Sequence, residues 1–106
     1  MNDDNIRTQM RKGMLELSVL LILQRGRAYP SDILRSLRES GMIVVEGTLY
    51  TVLNRLRRDG HIDYEWEEST MGPPRKYYTL SDSGLRLLDA LIAEWRSISN
   101  AIGFFL

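Results

Sequence analysis

Met10, Met14, Leu17 and Leu21 recur at the three-to-four-residue interval of a helix, and Leu15, Val19, Leu20, Ile22 and Leu23 fill its other sides. The spacing predicts a helix from about Thr8 that is apolar almost all round beyond Met14, the mark of burial on more than one side. Asn2 to Ile6 ahead of it is polar and expected to fray, and Gly26 is the expected stop. Pro30-Ser31-Asp32 opens a second, short helix, because proline is tolerated in a first turn and an acid there meets the positive end of the helix dipole. Ile33, Leu34 and Leu37 form its inward side and Gly41 closes it, before a brief extended link from Met42 to Val45. Leu49, Val52, Leu53 and Leu56 make the apolar stripe of a third helix, which ends at Asp59-Gly60 where glycine takes a left-handed cap.

The period then changes. Ile62, Tyr64 and Trp66 alternate with Asp63, Glu65 and Glu67, the two-residue repeat of a strand, and Arg75 to Leu80 alternates again with the Tyr and Thr that strands favour. Ser69 to Pro74 between them is turn-rich, so the two strands read as a hairpin. Ser81 is placed to cap a long last helix, with Leu85, Leu88, Ile92, Trp95 and Ile102 in one row and Leu87, Leu91 and Ile98 in a second. The expected architecture is mainly α with a small β-hairpin: a winged helix-turn-helix in the order α-α-α-β-β-α, with a long C-terminal dimerisation helix. Residues 1–80 form the winged region and 81–106 the dimerisation helix, packed with the first helix into one compact domain.

The third helix has a second face. Opposite its apolar stripe lie Gly47, Thr51, Asn54 and Arg58, flanked by Tyr50 and Arg57 on one side and by Thr48 and Arg55 on the other, with no acid between Gly47 and Arg58. Hydroxyl, amide and guanidinium groups are the partners that base edges and phosphates require. The leading turn of such a helix enters a major groove most deeply, so Thr48, Tyr50 and Thr51 are the expected base readers and Asn54 and Arg58 supporting contacts. Arg55 is the arginine expected to pair internally, with an acid such as Glu16. The hairpin tip from Ser69 to Tyr77 carries Arg75 and Lys76 and no acid, and can lay cations along a DNA backbone beside the groove. Glu65, Glu67 and Glu68 on the outgoing strand are expected to pair across the strands with Arg75 or Lys76. A further basic cluster, Arg7, Arg11 and Lys12, is read as solvating the start of the first helix.

Composition narrows the class without deciding it. The 106 residues allow a single domain, and 43% hydrophobic with 26% charged residues is an ordinary globular balance. The chain has no cysteine, which excludes disulfides and thiolate metal sites. The longest apolar run, Val19 to Leu23, is far short of the roughly 20 residues of a membrane span, so no membrane association and a cytoplasmic location are expected. Fourteen basic and fourteen acidic residues cancel, which by itself weighs against a nucleic-acid ligand and shifts the question to where the charges sit. His61 is the single histidine and follows a helix cap, a structural position. With no phosphate-cradling glycine loop, nucleophile elbow or paired His-carboxylate spacing, no cofactor, metal or enzymatic activity is expected. A winged helix that binds only another protein is the alternative to a DNA-binding one.

Three segments, "MRKGMLELSVLLIL", "EGTLYTVLNRLRRDGHI" and "GPPRKYYTLSDSG", resemble in sequence and order the PadR family of bacterial winged-helix transcriptional regulators. The likeness runs from about Met10 to Trp95, and the single helix after the wing is similar to the short subgroup of that family. The resemblance implies a homodimeric repressor that binds double-stranded DNA through its third helix and wing. Carried over by position, the contacts would be Thr48, Tyr50 and Thr51, with Gly72, Arg75 and Lys76 in the wing. The chain departs from the family at "AYPSDI", where a Tyr-Gly-Tyr-like stretch is usual. Tyr29 is kept, Pro30 and Ser31 differ, and Tyr29 and Ser31 are the expected contacts from the second helix start.

Two apolar rows on the last helix, and a first helix greasy on most sides, exceed what one small core can bury. The first and fourth helices are therefore expected to pair with a second copy through Leu17, Leu21, Leu88, Ile92, Trp95 and Ile102. Trp95 is packing at that junction or, as some relatives bind flat aromatic drugs between subunits, a ligand contact with Ile92 and Ser99.

Overall fold

The computed structural model describes Ile6, Met10, Arg11 and residues 13–106. Its elements are α1 (Met14–Gln24), α2 (Pro30–Glu39), α3 (Glu46–Arg58), β1 (Ile62–Glu67), β2 (Arg75–Leu80) and α4 (Asp82–Gly103). This is the expected winged-helix order. Met10 and Arg11 are helical, but Gly13 takes φ +85 and interrupts the chain before α1. A single helix running from Thr8 is therefore corrected to one that begins at Met14; a left-handed residue cannot continue a right-handed helix. Thr8 itself, with Arg7, Lys12 and residues 1–5, lies outside the described residues.

Local chemistry sets the remaining boundaries. Asp32 accepts the Tyr29 backbone N–H at 3.1 Å, closing the first turn of α2 behind Pro30. Gly41 and Gly60 take φ 93 and 81 where α2 and α3 end. The Ser81 hydroxyl accepts the Gly84 backbone N–H at 3.0 Å and donates to the Gly60 carbonyl at 2.6 Å, so one serine caps α4 and ties it to the end of α3.

The core is built by Leu17, Val19, Leu20 and Leu23 of α1, Ile33 and Leu37 of α2, and Leu49, Val52, Leu53 and Leu56 of α3. Ile62 and Tyr78 of the hairpin, Ala28 and Leu88 of α4 complete it. Burying each large side chain contributes about 1.5–3 kcal/mol. The strands pair antiparallel from Ile62↔Leu80 to Glu67↔Arg75. Ala28 adds a third rung on the outer edge of β2, with reciprocal backbone bonds to Tyr78 of 3.1 and 2.8 Å.

The last helix leaves its neighbours halfway. Of its 22 residues only Gly84 and Leu88 are buried. Leu87, Leu91 and Ile92 are half-buried, and from Ala93 to the end every residue is exposed, Trp95, Ile98 and Ile102 among them.

Candidate nucleic-acid interface

The front of α3 is open to solvent. Thr48, Tyr50, Thr51, Asn54 and Arg58 are all exposed, while Leu49, Val52, Leu53 and Leu56 are buried behind them. The Thr51 hydroxyl donates to the Gly47 carbonyl at 3.0 Å, which leaves its oxygen facing outward as an acceptor. Gly47 has no atom within 4 Å of where a Cβ would stand, so nothing inside the fold requires a glycine at this point of the front. Arg55 pairs with Glu16 of α1, as its position on the flank suggested, and among the described residues Arg58 has one acidic contact, at 3.6 Å, with its exposed neighbour Asp59.

On one side of α3 an open cleft of ≈ 580 Å³ brings three elements together. Tyr29, Ser31 and Leu34 come from the start of α2, Glu46 and Tyr50 from the leading end of α3, and Trp66, Pro74, Arg75 and Lys76 from the wing. Thr48 and Thr51 face a second groove, of ≈ 1080 Å³, walled by Arg11, Met42, Ile43 and Val45. Asn54 and Arg58 line neither. Gly72 stands at the exposed wing tip with nothing within 4 Å of a Cβ position.

The wing cations are held by rings rather than by acids. Glu67 faces Arg75 in the strand register, yet its carboxylate accepts the Tyr29 hydroxyl at 2.6 Å and lies 3.7 Å from Arg27. Glu65 accepts the Tyr77 hydroxyl at 2.8 Å. The expected cross-strand pairing of Glu65, Glu67 or Glu68 with Arg75 or Lys76 is corrected accordingly: among the described residues neither cation has a carboxylate partner. The cause is the segment Arg27 to Tyr29, which docks beside β2 and delivers a hydroxyl and a guanidinium to Glu67. Arg75 instead stacks 3.7 Å above the Tyr29 ring, and Lys76 sits 4.2 Å from Tyr64 and 5.3 Å from Trp66. Such contacts stabilise by about 0.5–1 kcal/mol at exposed sites and leave the cations able to bind phosphate.

The hydrogen bond to Glu67 raises the Tyr29 pKa above its ordinary value, with desolvation adding to it, and the bond to Glu65 does the same for Tyr77. Both hydroxyls therefore remain neutral donors at physiological pH. Arg11 reaches the Gly41 and Ile43 carbonyls at 3.4 and 3.3 Å, so it fastens the α2–α3 link rather than merely solvating a helix start. A His61 ring nitrogen is 2.9 Å from the Ser83 hydroxyl.

Glu46 and Trp66 line the cleft without being among the contacts expected from the sequence. Glu46 is an exposed acid at the leading edge of α3, one residue before the stretch read from the sequence as the helix. Trp66 was taken as one beat of a strand pattern, yet it is 62% exposed. No spacing marks this in the sequence, because whether the helices beneath the hairpin reach its end is set by tertiary packing.

The proposed interface residues divide. Leu17 and Leu88 are buried in the chain's own core at 7% and 0% exposure, because α1 packs against α2, α3, β2 and α4 at once. Leu21, Trp95 and Ile102 are exposed and Ile92 is half-buried. Ile92, Trp95 and Ser99 follow one another along the projecting half of α4. Among the described residues no group of acids and histidine is arranged to hold a metal, and no helix is long and apolar enough to cross a membrane.

Residues 19–90 match the model of the transcriptional regulator PadR-like family. The chain is 48% identical to a PadR-like transcription factor from Bacteroides fragilis, covering 96% of this chain and 99% of that one with a TM-score of 0.81. A PadR family transcriptional regulator from Eggerthella lenta is 33% identical, over 94% and 88% of the two chains, with a TM-score of 0.86. Bacillus subtilis PadR, solved in complex with operator DNA, is 26% identical over 74% of this chain and 46% of its own, at a TM-score of 0.69. The winged helix, its open α3 front and these likenesses agree, and the chain belongs to the PadR-like family of DNA-binding transcriptional regulators.

Proposed function

We propose that this regulator is a cytoplasmic homodimeric repressor whose α3 and wing read an operator, with residues 1–80 as the DNA-binding region and 81–106 as the dimerisation helix. The observation that carries the reading is the cleft, in which the α2 start, the leading end of α3 and the wing cations converge, with no carboxylate paired to either cation among the described residues. In this reading Thr48, Tyr50 and Thr51 contact base edges, with Asn54 and Arg58 further along the helix. Arg75 and Lys76 bind backbone phosphates, Gly72 lets the wing tip approach closely, and Tyr29 and Ser31 add hydroxyls from α2. The operator-bound relative supports the mode of binding.

A salt series of gel shifts on the promoter of the protein's own gene tests it. Affinity should fall steeply with salt, and Arg75→Ala or Lys76→Ala should each reduce the log–log slope by roughly 0.9 per lost phosphate contact, twice that per dimer. Failure to bind any duplex at low salt would end the DNA reading and favour a protein partner.

The effector half of the proposal rests on Trp95, half-exposed at 49% where two subunits would meet. A planar aromatic compound stacked there, beside Ile92 and Ser99, would shift the subunits and release DNA. Titrating aromatic compounds should quench tryptophan emission in the wild type and not in Trp95→Ala; equal quenching in both would remove Trp95 from the site.

A further inference from the structure

The inward face of β1 runs Ile62, Tyr64, Trp66, and its exposure rises outward: Ile62 is fully buried, Tyr64 half-buried and Trp66 62% exposed. The alternation that drives the first two into the core continues past the last helix beneath the hairpin, and the indole is left over open space. It is nevertheless held. Tyr64 meets it edge-on at 6.3 Å and 89°, and the Lys76 ammonium lies 5.3 Å from its ring. A large aromatic surface fixed in place and left uncovered is the form of a contact residue.

The exposed apolar side chains assigned to self-association belong to α1 and α4, so the proposed dimer surface does not include the hairpin. What surrounds Trp66 is mostly polar, with two cations against one acid: Arg75, Lys76, Ser31 and Tyr50 share its cleft with Glu46. A purely apolar partner would have to strip water from both cations there. A sugar–phosphate backbone matches both halves of the site, with a phosphate for Lys76, which shares the face of the indole, and the apolar face of the adjoining deoxyribose for the ring.

We propose that Trp66 is a non-ionic DNA contact of the wing, packing its indole against a backbone deoxyribose next to the phosphate held by Lys76. This rests on the reading of the cleft as the DNA-facing surface. The contact involves sugar, not a base edge, so it adds affinity without sequence preference. It also releases no counterion, which separates it from every cation in the interface.

The test uses the full chain labelled with 5-fluorotryptophan, whose two resonances, for Trp66 and Trp95, are assigned with Trp66→Phe. Adding promoter duplex should move the Trp66 resonance, and raising salt until the duplex dissociates should return it. In parallel, Trp66→Ala, or Trp66→Leu if alanine lowers the melting temperature, should weaken binding roughly tenfold per subunit. That loss should be equal for promoter and unrelated duplex, with the salt slope unchanged. A Trp66 resonance that stays put while anisotropy shows the duplex bound would overturn the proposal, as would a loss confined to the promoter sequence. If the wild type binds no duplex at all, the DNA reading itself falls, and the present inference with it.

Discussion

Replacing Gly84 with alanine is expected to cost at least about 3 kcal/mol of folding stability, at the upper end of overpacking substitutions. A Cβ at this position would stand 1.9 Å from the His61 carbonyl oxygen, 2.9 Å from its carbon and 3.0 Å from a Leu80 methyl. The obstacle is backbone, and it is backbone already in use. The same carbonyl accepts the Ser81 N–H at 3.2 Å, and the next residue, Ile62, begins the strand register against Leu80. To make room, α4 must lift from the base of the hairpin, exposing Leu88 and weakening the Ser81 cap. For a domain of this size each kcal/mol moves the melting temperature by about 4–8 °C, so calorimetry should find a fall on the order of 15 °C. Gly72→Ala, with open space around it, is the control and should stay within about 0.5 kcal/mol. A Gly84→Ala protein melting within 2 °C of wild type, an interval of about half a kcal/mol, would mean that α4 does not approach the hairpin this closely.

The second large effect is expected from Ile98→Glu combined with Ile102→Glu. Beyond Ala93 the last helix has no buried residue in its own chain, and a helical segment of that length is marginal in water without packing. Trp95, Ile98 and Ile102 recur at three- and four-residue intervals along it, a stripe that a second copy would cover. Two carboxylates in that stripe would be buried without partners on association, a cost of several kcal/mol. Light scattering should therefore return a dimer for the wild type and a monomer for the double variant at micromolar concentration. Helical ellipticity should fall as the end of α4 frays, and affinity for a two-half-site operator should drop by about 10²-fold or more as linkage between the half-sites is lost. A double variant that remains dimeric would exclude this face of α4 from the interface.

Much of this fold can be read from spacing because its determinants are local. The Ser81 cap, the Gly41 and Gly60 stops and the two strands all follow from residues whose neighbours along a helix or strand are known in advance. What could not be read depends on segments meeting from a distance. The approach of Gly84 to His61 needs the angle at which α4 leaves the hairpin. The capture of Glu67 by Tyr29 needs the loop before α2 to dock beside β2, and nothing in the strand alternation announces that. Gly13 looked like one more helical residue because the apolar spacing runs through it undisturbed. For the candidate interface, the polar front of α3 was legible as a face, whereas the cleft beside it was not, being made of three segments at once. Trp66 was missed for the same reason: whether an inward strand residue is covered depends on how far the helices beneath it extend.

The bridge between Ala28 and Tyr78 has a bearing on solubility. A bare two-stranded hairpin exposes two rows of unpaired amide and carbonyl groups, each a template for the strand of another molecule. Here the short pairing of Ala28 closes part of the β2 side. The remaining open edge is β1, whose outward residues are Asp63, Glu65 and Glu67. A second copy approaching that edge would bring the same acids against these, and the like charges would oppose strand addition. Copies brought close together would thereby be hindered from joining wing to wing. The acids that leave the wing cations unpaired act as guards against aggregation.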